Sequence, residues 1–245
     1  MSYIIITFMQ KYINLSKIPS CVYKIKIDIG LSYGAPQSQK WFEHDKEALY
    51  VFGFEPNPEC LQILHTGNIQ KKHSNHGTPI ENQYLFNNYC IVPVALNHVE
   101  SETSMLFYEM QDDCGTSSLH KPNERILGSV KKITTVPVFS LKHFFDIFDW
   151  DRFPYIEYIK IDAQGSDYNI LLSAGEYLKE RVVYITAEPE CVQYENCENN
   201  NINNMKHFLQ SQGFIELRHP NTSDPTFINK KYMHLKDDIY IYQQG

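Results

Sequence analysis

Apolar and polar positions alternate through "VYKIKIDI", residues 22–29, and this two-residue period predicts a β-strand. The strand ends at Asp28-Ile29-Gly30, and "PQSQKWFEHD" then opens a helix with Pro36 in its first turn. "YVFGFEP", 50–56, predicts a second strand closed by Glu55-Pro56, and "NPECLQIL" a helix capped by Asn57. Strand, helix, strand, helix over 22–66 is the order of a parallel sheet. "NYCIVPVAL", 88–96, reads as a third strand, while "SMLFYEM" and "ITTVPVFSL" flank "CGTSSLHKP" as an added hairpin. Behind Ser140, the spacing of Leu141, Phe144, Phe145 and Phe148 is a helical stripe.

The stretch "YIKIDAQGSDYNIL" predicts a strand over 156–162 and a helix over about 166–174 that stops near Gly175. "RVVYITAEPE", 181–190, is a further strand ending in Glu188, and "NNINNMKHFLQSQG" a capped helix ending at Gly213. "FIEL" and "DDIYIYQQ" predict an antiparallel pair at the sheet's end. The polar stretch 67–87 reads as a surface insertion and 1–21 as an N-terminal extension. No repeat or linker divides the rest, so one domain over 1–245 is expected, with its core from about residue 22.

Composition narrows the class. At 245 residues, 42% hydrophobic, the chain is large enough for one well-buried α/β domain. A net charge of −7 argues against affinity resting on nucleic-acid phosphates, and no nucleic-acid partner is expected. No apolar run approaches the ~20 residues of a membrane span, and "MSYIIITFMQ" lacks the cationic start of a signal peptide. Six cysteines without a C-x-x-C pair are expected to be reduced thiols in a cytoplasmic protein. His73-x-x-His76 has no nearby cysteine or acidic partner and reads as a loop, so no metal site is expected.

In an open parallel sheet, ligands bind beyond the carboxyl ends of the strands where strand order reverses. Asp28, Glu55, Asp162 and Glu188 all end strands, and Asn97 follows the third. The first loop is D-x-G-x-x-x-G (Asp28, Gly30, Gly34), not the G-x-G-x-x-G that brings pyrophosphate to a helix N-terminus. That counts against a nicotinamide-dependent oxidoreductase. An acidic first loop fits a ribose-bearing ligand without phosphate, and S-adenosylmethionine is one. Glu55 is placed to accept two hydrogen bonds from its ribose diol.

"DIGLSYG", "FEPNPECLQIL", "VPVALN", "GTSSL", "VPVFSLKHFF" and "YIKIDAQGSDYNILLSAG" resemble, in this order, an FkbM-type S-adenosylmethionine-dependent methyltransferase over about 28–175. The resemblance implies a class I Rossmann-like fold: a mostly parallel twisted sheet, helices on both faces and an antiparallel C-terminal strand pair. It also implies O-methylation of a sugar or another small hydroxylated metabolite. Asp28, Gly30 and Gly34 would line the donor's methionine end and Glu55 its ribose, with Asn57 and Tyr33 beside them. Asn97 would lie near the adenine, and Asp162 and Gln164 would face the reaction centre. The family more often has a glutamate where this chain has Gln164, and another at Asp167.

A sugar hydroxyl is a poor nucleophile, so a positioned base is expected. Asp162 is the first candidate and Glu188 the second, with loop histidines His219 and His234 behind them. Asp162 also shares a strand face with Lys160, so an ion pair between them, or capping of the following helix, is the plain alternative. Gln164 and the altered first loop motivate a different class: a non-catalytic Rossmann-like module that recognises a glycan or a partner protein.

Overall fold

In the computed structural model, which describes residues 10–73, 75, 77–217 and 224–236, the alternating segment forms strand β1 (Lys24–Ile29). It is followed by β2 (Leu49–Phe54), β3 (Tyr89–Val92), β4 (Ala95–Leu96), β5 (Thr103–Met110), β6 (Val130–Phe139), β7 (Ile156–Ile161), β8 (Val182–Ala187), β9 (Phe214–Leu217) and β10 (Thr226–Asn229). Seven strands form one sheet in the order β3-β2-β1-β7-β8-β10-β9, and β4-β6-β5 form a second. In the large sheet β10 runs antiparallel to both β8 and β9, while the other pairings are parallel. Strand order reverses between β1 and β7, which puts the ligand crevice there.

Side-chain alternation splits β1 between two cores. Ile25, Ile27 and Ile29 join one cluster with Phe52, Phe144, Leu171 and Leu209. The opposite face carries Trp41, Phe42, Val51 and Tyr184. Helices therefore cover both faces, as a doubly wound sheet requires. Proline opens two of them, Pro36–Asp45 and Pro58–Thr66, where its fixed φ suits a first turn and its missing N–H costs nothing. The stripe behind Ser140 is the helix Leu141–Asp146, closed by a capping box between Ser140 and His143.

The strand pattern differs from expectation at one place. The third strand divides at Pro93: β3 stays in the large sheet, and Ala95–Leu96 crosses to pair with β6 of the hairpin sheet. Asn97 therefore follows β4 and not a strand of the large sheet. The stretch 67–87 holds the helix Asn82–Asn87. "FIEL" pairs with Thr226–Asn229, while "DDIYIYQQ", His76 and His219 lie outside the described residues. The hairpin is as expected, with Thr103 opposite Val138 and Met110 opposite Val130.

Lys24 and Lys26, odd in a central strand, point from β1 toward the helix Pro36–Asp45. Lys26 is fully buried, 0% exposed, with Nζ 2.5 Å from Asp45 Oδ2 and 5.5 Å from the Trp41 ring. Asp45 Oδ1 takes Lys24 at 2.6 Å. Burial pulls the Lys26 ammonium below its ordinary range, while both lysines outweigh burial at Asp45 and hold its carboxyl low. Glu157 on β7 is buried nearby, with Oε2 unpartnered, and burial pushes its carboxyl up to about 7. Its unfolded value is lower, so its contribution to stability is complete below about pH 4.5 and fades as pH rises through about 7. Glu157→Gln is thus expected to flatten the decline in urea midpoint between about pH 5 and 8.

Candidate functional site

A cavity of about 480 Å³ opens at the carboxyl ends of the parallel strands, within the usual size of small-molecule sites. The large sheet contributes Gly30, Ser32, Glu55, Lys160, Asp162, Gln164, Ser166, Glu188 and Glu190, and the hairpin closes the cavity with Phe107, Cys114–Ser117 and Leu119.

Gly30 is required by contact and by conformation. Its φ is +81°, and a Cβ there would stand 1.8 Å from the carbonyl oxygen of Asp162. The two strand-end loops therefore touch across the switch point. Gly30→Ala is expected to destabilise the fold by roughly 1–3 kcal/mol, read as a lowered urea midpoint, because neither loop can retreat without breaking its ladder.

Glu55 ends β2 and is 5% exposed. Its Oε2 accepts from the Ser32 amide at 2.9 Å and its Oε1 from the Asn57 amide at 2.8 Å, which aims the carboxyl at the cavity. A third backbone amide, that of Leu31, also favours the charged carboxylate. Burial outweighs these amides and raises the carboxyl to about 7. Ser32 is held at φ +51° with its hydroxyl oxygen buried and unpartnered.

On the β7 side, Lys160 Nζ lies 3.1 Å from both Asp162 Oδ2 and the Gly30 carbonyl, and 3.8 Å from Asp28 Oδ1. Asp162 keeps 36% side-chain exposure. Burial alone would raise its carboxyl; the Lys160 charge, together with hydrogen bonds from Glu188, Lys160 and Gln164, outweighs burial and holds it below its ordinary range. Gln164, at φ +50°, donates to Asp162 Oδ1 at 2.5 Å and accepts from the Tyr194 hydroxyl at 2.5 Å. Its Nε2 also reaches Glu188 Oε2 at 3.5 Å. Burial and the neighbouring Asp162 charge push the Glu188 carboxyl well above its ordinary range, so Glu188 is neutral where Asp162 is charged. Asp167 lies beneath, accepting from the Ala163 amide (3.2 Å) and the Glu188 amide (3.0 Å), and burial lifts it to about 8. It fastens the β7 loop to the β8 loop.

Of the residues picked from the sequence, Gly30, Glu55, Asp162, Gln164 and Glu188 line this cavity. Asp28 does not. It is 1% exposed beneath the loop, accepting from Ser38 Oγ at 2.5 Å, on the β1 face that also carries Lys24 and Lys26. Asn57 is buried away from the wall: its Oδ1 caps the next helix, and its Nδ2 donates to Ser117 Oγ at 3.2 Å. Asn97 Oδ1 turns back to the His98 amide at 2.7 Å. Tyr33 packs its ring 5.0 Å from His73, and burial raises its hydroxyl to about 12. Gly34 bonds to Ile80 and has no positive φ. His234 sits in a short helix beside Tyr232.

Lys160, Ser166, Glu190 and Tyr194 were not picked out as site residues. The Lys160-Asp162 spacing carried the signal for the first; the others follow their strand ends in loops without a pattern. Ser166 is 1% exposed with an unpartnered Oγ, and Glu190 Oε2 is likewise unpartnered. Among the described residues, no group of three or more His, Cys, Asp or Glu side chains is arranged to hold a metal ion, and no helix is long and apolar enough to cross a membrane.

A family model described as Methyltransferase FkbM domain matches residues 28–216. No curated protein matches the chain. Solved structures similar to it include methyltransferase FkbM from Methylobacillus flagellatus, 12% identical with a TM-score of 0.48, covering 91% of this chain and 50% of that one. This chain thus spans half the length of that protein. The S-adenosylhomocysteine-bound methyltransferase PaMTH1 of Podospora anserina is 10% identical, TM-score 0.44, covering 84% of this chain and 71% of that one. A fibrillarin pre-rRNA processing protein from Methanococcus jannaschii is 11% identical, TM-score 0.40, covering 89% and 74%.

Proposed function

Because the chain belongs to the FkbM methyltransferase family, we propose that it transfers a methyl group from S-adenosylmethionine to a hydroxyl of a sugar or another small, non-anionic metabolite. The observation that carries this is the pairing, across one cavity, of a buried carboxyl ending β2 with the Asp162-Lys160-Gln164 cluster ending β7.

The donor's chemistry fits the first half of the cavity. Glu55, which lines the cavity, would take the ribose hydroxyls; Ser32 Oγ offers a polar partner; Gly30 lets the backbone approach closely. When bound, the donor supplies an electrophilic methyl on sulfur. Everything else falls to alignment, exclusion of water and removal of one proton.

Asp162 is the base in this proposal. It is ionised at neutral pH, and Lys160 and Gln164 fix its orientation from either side. Glu188, kept protonated by that same charge, is its neutral partner and not a second base. Ser166 and Glu190 offer unpartnered oxygens on the same side, suited to the donor groups of an acceptor. On this side the ionised Asp162 disfavours a phosphate-bearing acceptor by like-charge repulsion, while Glu188 is neutral.

Protonated Glu55 is the weaker acceptor, so donor affinity is expected to rise as pH increases through about 7 and to level off above, by up to about tenfold per unit. Calorimetric titration of S-adenosylhomocysteine at several pH values reads this directly. For the acceptor, labelled donor is incubated with extracts split into glycan, lipid, small-molecule, protein and RNA pools. Label in the glycan or small-molecule pool supports the proposal; label in RNA overturns its acceptor half. Donor binding with no label in any pool supports instead a module that binds without turnover, the reading that Gln164 in place of a glutamate favours.

A further inference from the structure

Cys60 and Cys114 come from different parts of the chain and meet with their sulfurs 3.2 Å apart. Cys60 sits in the first turns of the helix after β2, the element that opens beside Glu55, and is fully buried. Cys114 belongs to the hairpin loop and lines the cavity. The loop is already drawn onto the sheet beside them: Asn57 Nδ2 donates to the Cys114 carbonyl at 3.4 Å and Ser118 Oγ to the Gln164 carbonyl at 2.6 Å, and the Tyr194 hydroxyl that donates to Gln164 also lies 2.9 Å from the Thr116 carbonyl. Lifting the loop from the cavity would break these bonds. A disulfide needs the sulfurs at about 2.05 Å, an approach of little more than 1 Å.

We propose that Cys60 and Cys114 are a redox pair whose disulfide locks the hairpin loop over the cavity and slows exchange of its ligand. The oxidant is a peroxide. The Cys114 thiolate attacks the O–O bond and takes one oxygen as sulfenic acid, while the other leaves as hydroxide and is protonated to water. The Cys60 sulfur then attacks the Cys114 sulfur: the S–S bond forms, the S–O bond breaks, and the departing hydroxide takes the Cys60 proton as a second water. Two thiols lose two electrons and the peroxide gains them. Cys114 is the attacking sulfur because it faces the cavity, whereas contact with Cys114 and burial hold the Cys60 thiol protonated. A small-molecule dithiol restores both.

The effect on exchange rests on the donor reading above; formation of the bond does not. The protein is treated with hydrogen peroxide and then with an alkylating agent, digested, and mapped without reduction by mass spectrometry. The expected result is a Cys60-Cys114 linked peptide, absent from Cys60→Ser. Formation of the link is expected to be slower with S-adenosylhomocysteine present, since the ligand covers Cys114. Stopped-flow association of S-adenosylhomocysteine is expected to slow by about tenfold in the linked protein and to recover with dithiothreitol, a coupling of usual size between a device and a site. Absence of the linked peptide overturns the pair, and a linked protein that exchanges ligand at the unlinked rate overturns the lock. If the reduced protein binds no S-adenosylhomocysteine, the donor reading fails, while the peptide map still decides the disulfide.

Discussion

Asp162→Asn is expected to lower methyl transfer by about 10²–10⁴-fold while leaving S-adenosylhomocysteine affinity within a factor of about three. The amide has the shape of the carboxylate but cannot take a proton. Lys160 is not stranded by the change, because the Gly30 carbonyl still accepts from it at 3.1 Å and Asp28 lies 3.8 Å away. The structural alternative, in which Asp162 only pairs with Lys160, predicts a loss of stability and no selective loss of turnover. The pH profile separates them further. A carboxyl held below its ordinary range is ionised at neutral pH, so at saturating donor turnover should be lost only as pH falls through that depressed value. Single-turnover measurement on the labelled pool, beside calorimetric donor binding, reads both quantities. Equal losses in binding and turnover would contradict the role of base.

Asp45→Ala is expected to destabilise the fold by about 3–5 kcal/mol, measured by urea unfolding, the usual effect of removing one partner of a buried ion pair. Lys26 has no water to turn to, and Asp45 is the carboxylate against its ammonium at 2.5 Å. The cost comes from the stranded charge, so adding Lys26→Met to the same chain should recover most of the loss. A single variant within about 0.5 kcal/mol of the parent would mean that Lys26 is folded in its neutral form.

Local rules account for much of what was legible. Pro36, Asn57 with Pro58, and Ser140 each mark a helix start through their own φ or side-chain oxygen, and the helices begin there. Period-two and apolar runs located the strands, and the Gly30-to-Gln164 crevice followed from strand order. What escaped depends on partners distant in sequence. Nothing within "NYCIVPVAL" says that the chain changes sheets after Pro93; the partner that receives Ala95 is Val138, 43 residues on. Asp28 shows the limit of reading a strand-end carboxylate as a ligand group. Alternation puts it on the same face as Lys24 and Lys26, so it meets Ser38 of the helix, and the first cavity residues of that strand are Ile29 and Gly30. Glu55 escaped this fate because it lies one residue past its strand, where the turn redirects it.

Donor recognition by Glu55 is the central claim, and calorimetric titration of S-adenosylhomocysteine into the parent protein and into Glu55→Ala tests it most directly. Saturable binding by the parent, weakened at least about tenfold in the variant, is the predicted result for loss of two charge-assisted hydrogen bonds. No binding by the parent, or equal affinity in both proteins, would contradict it.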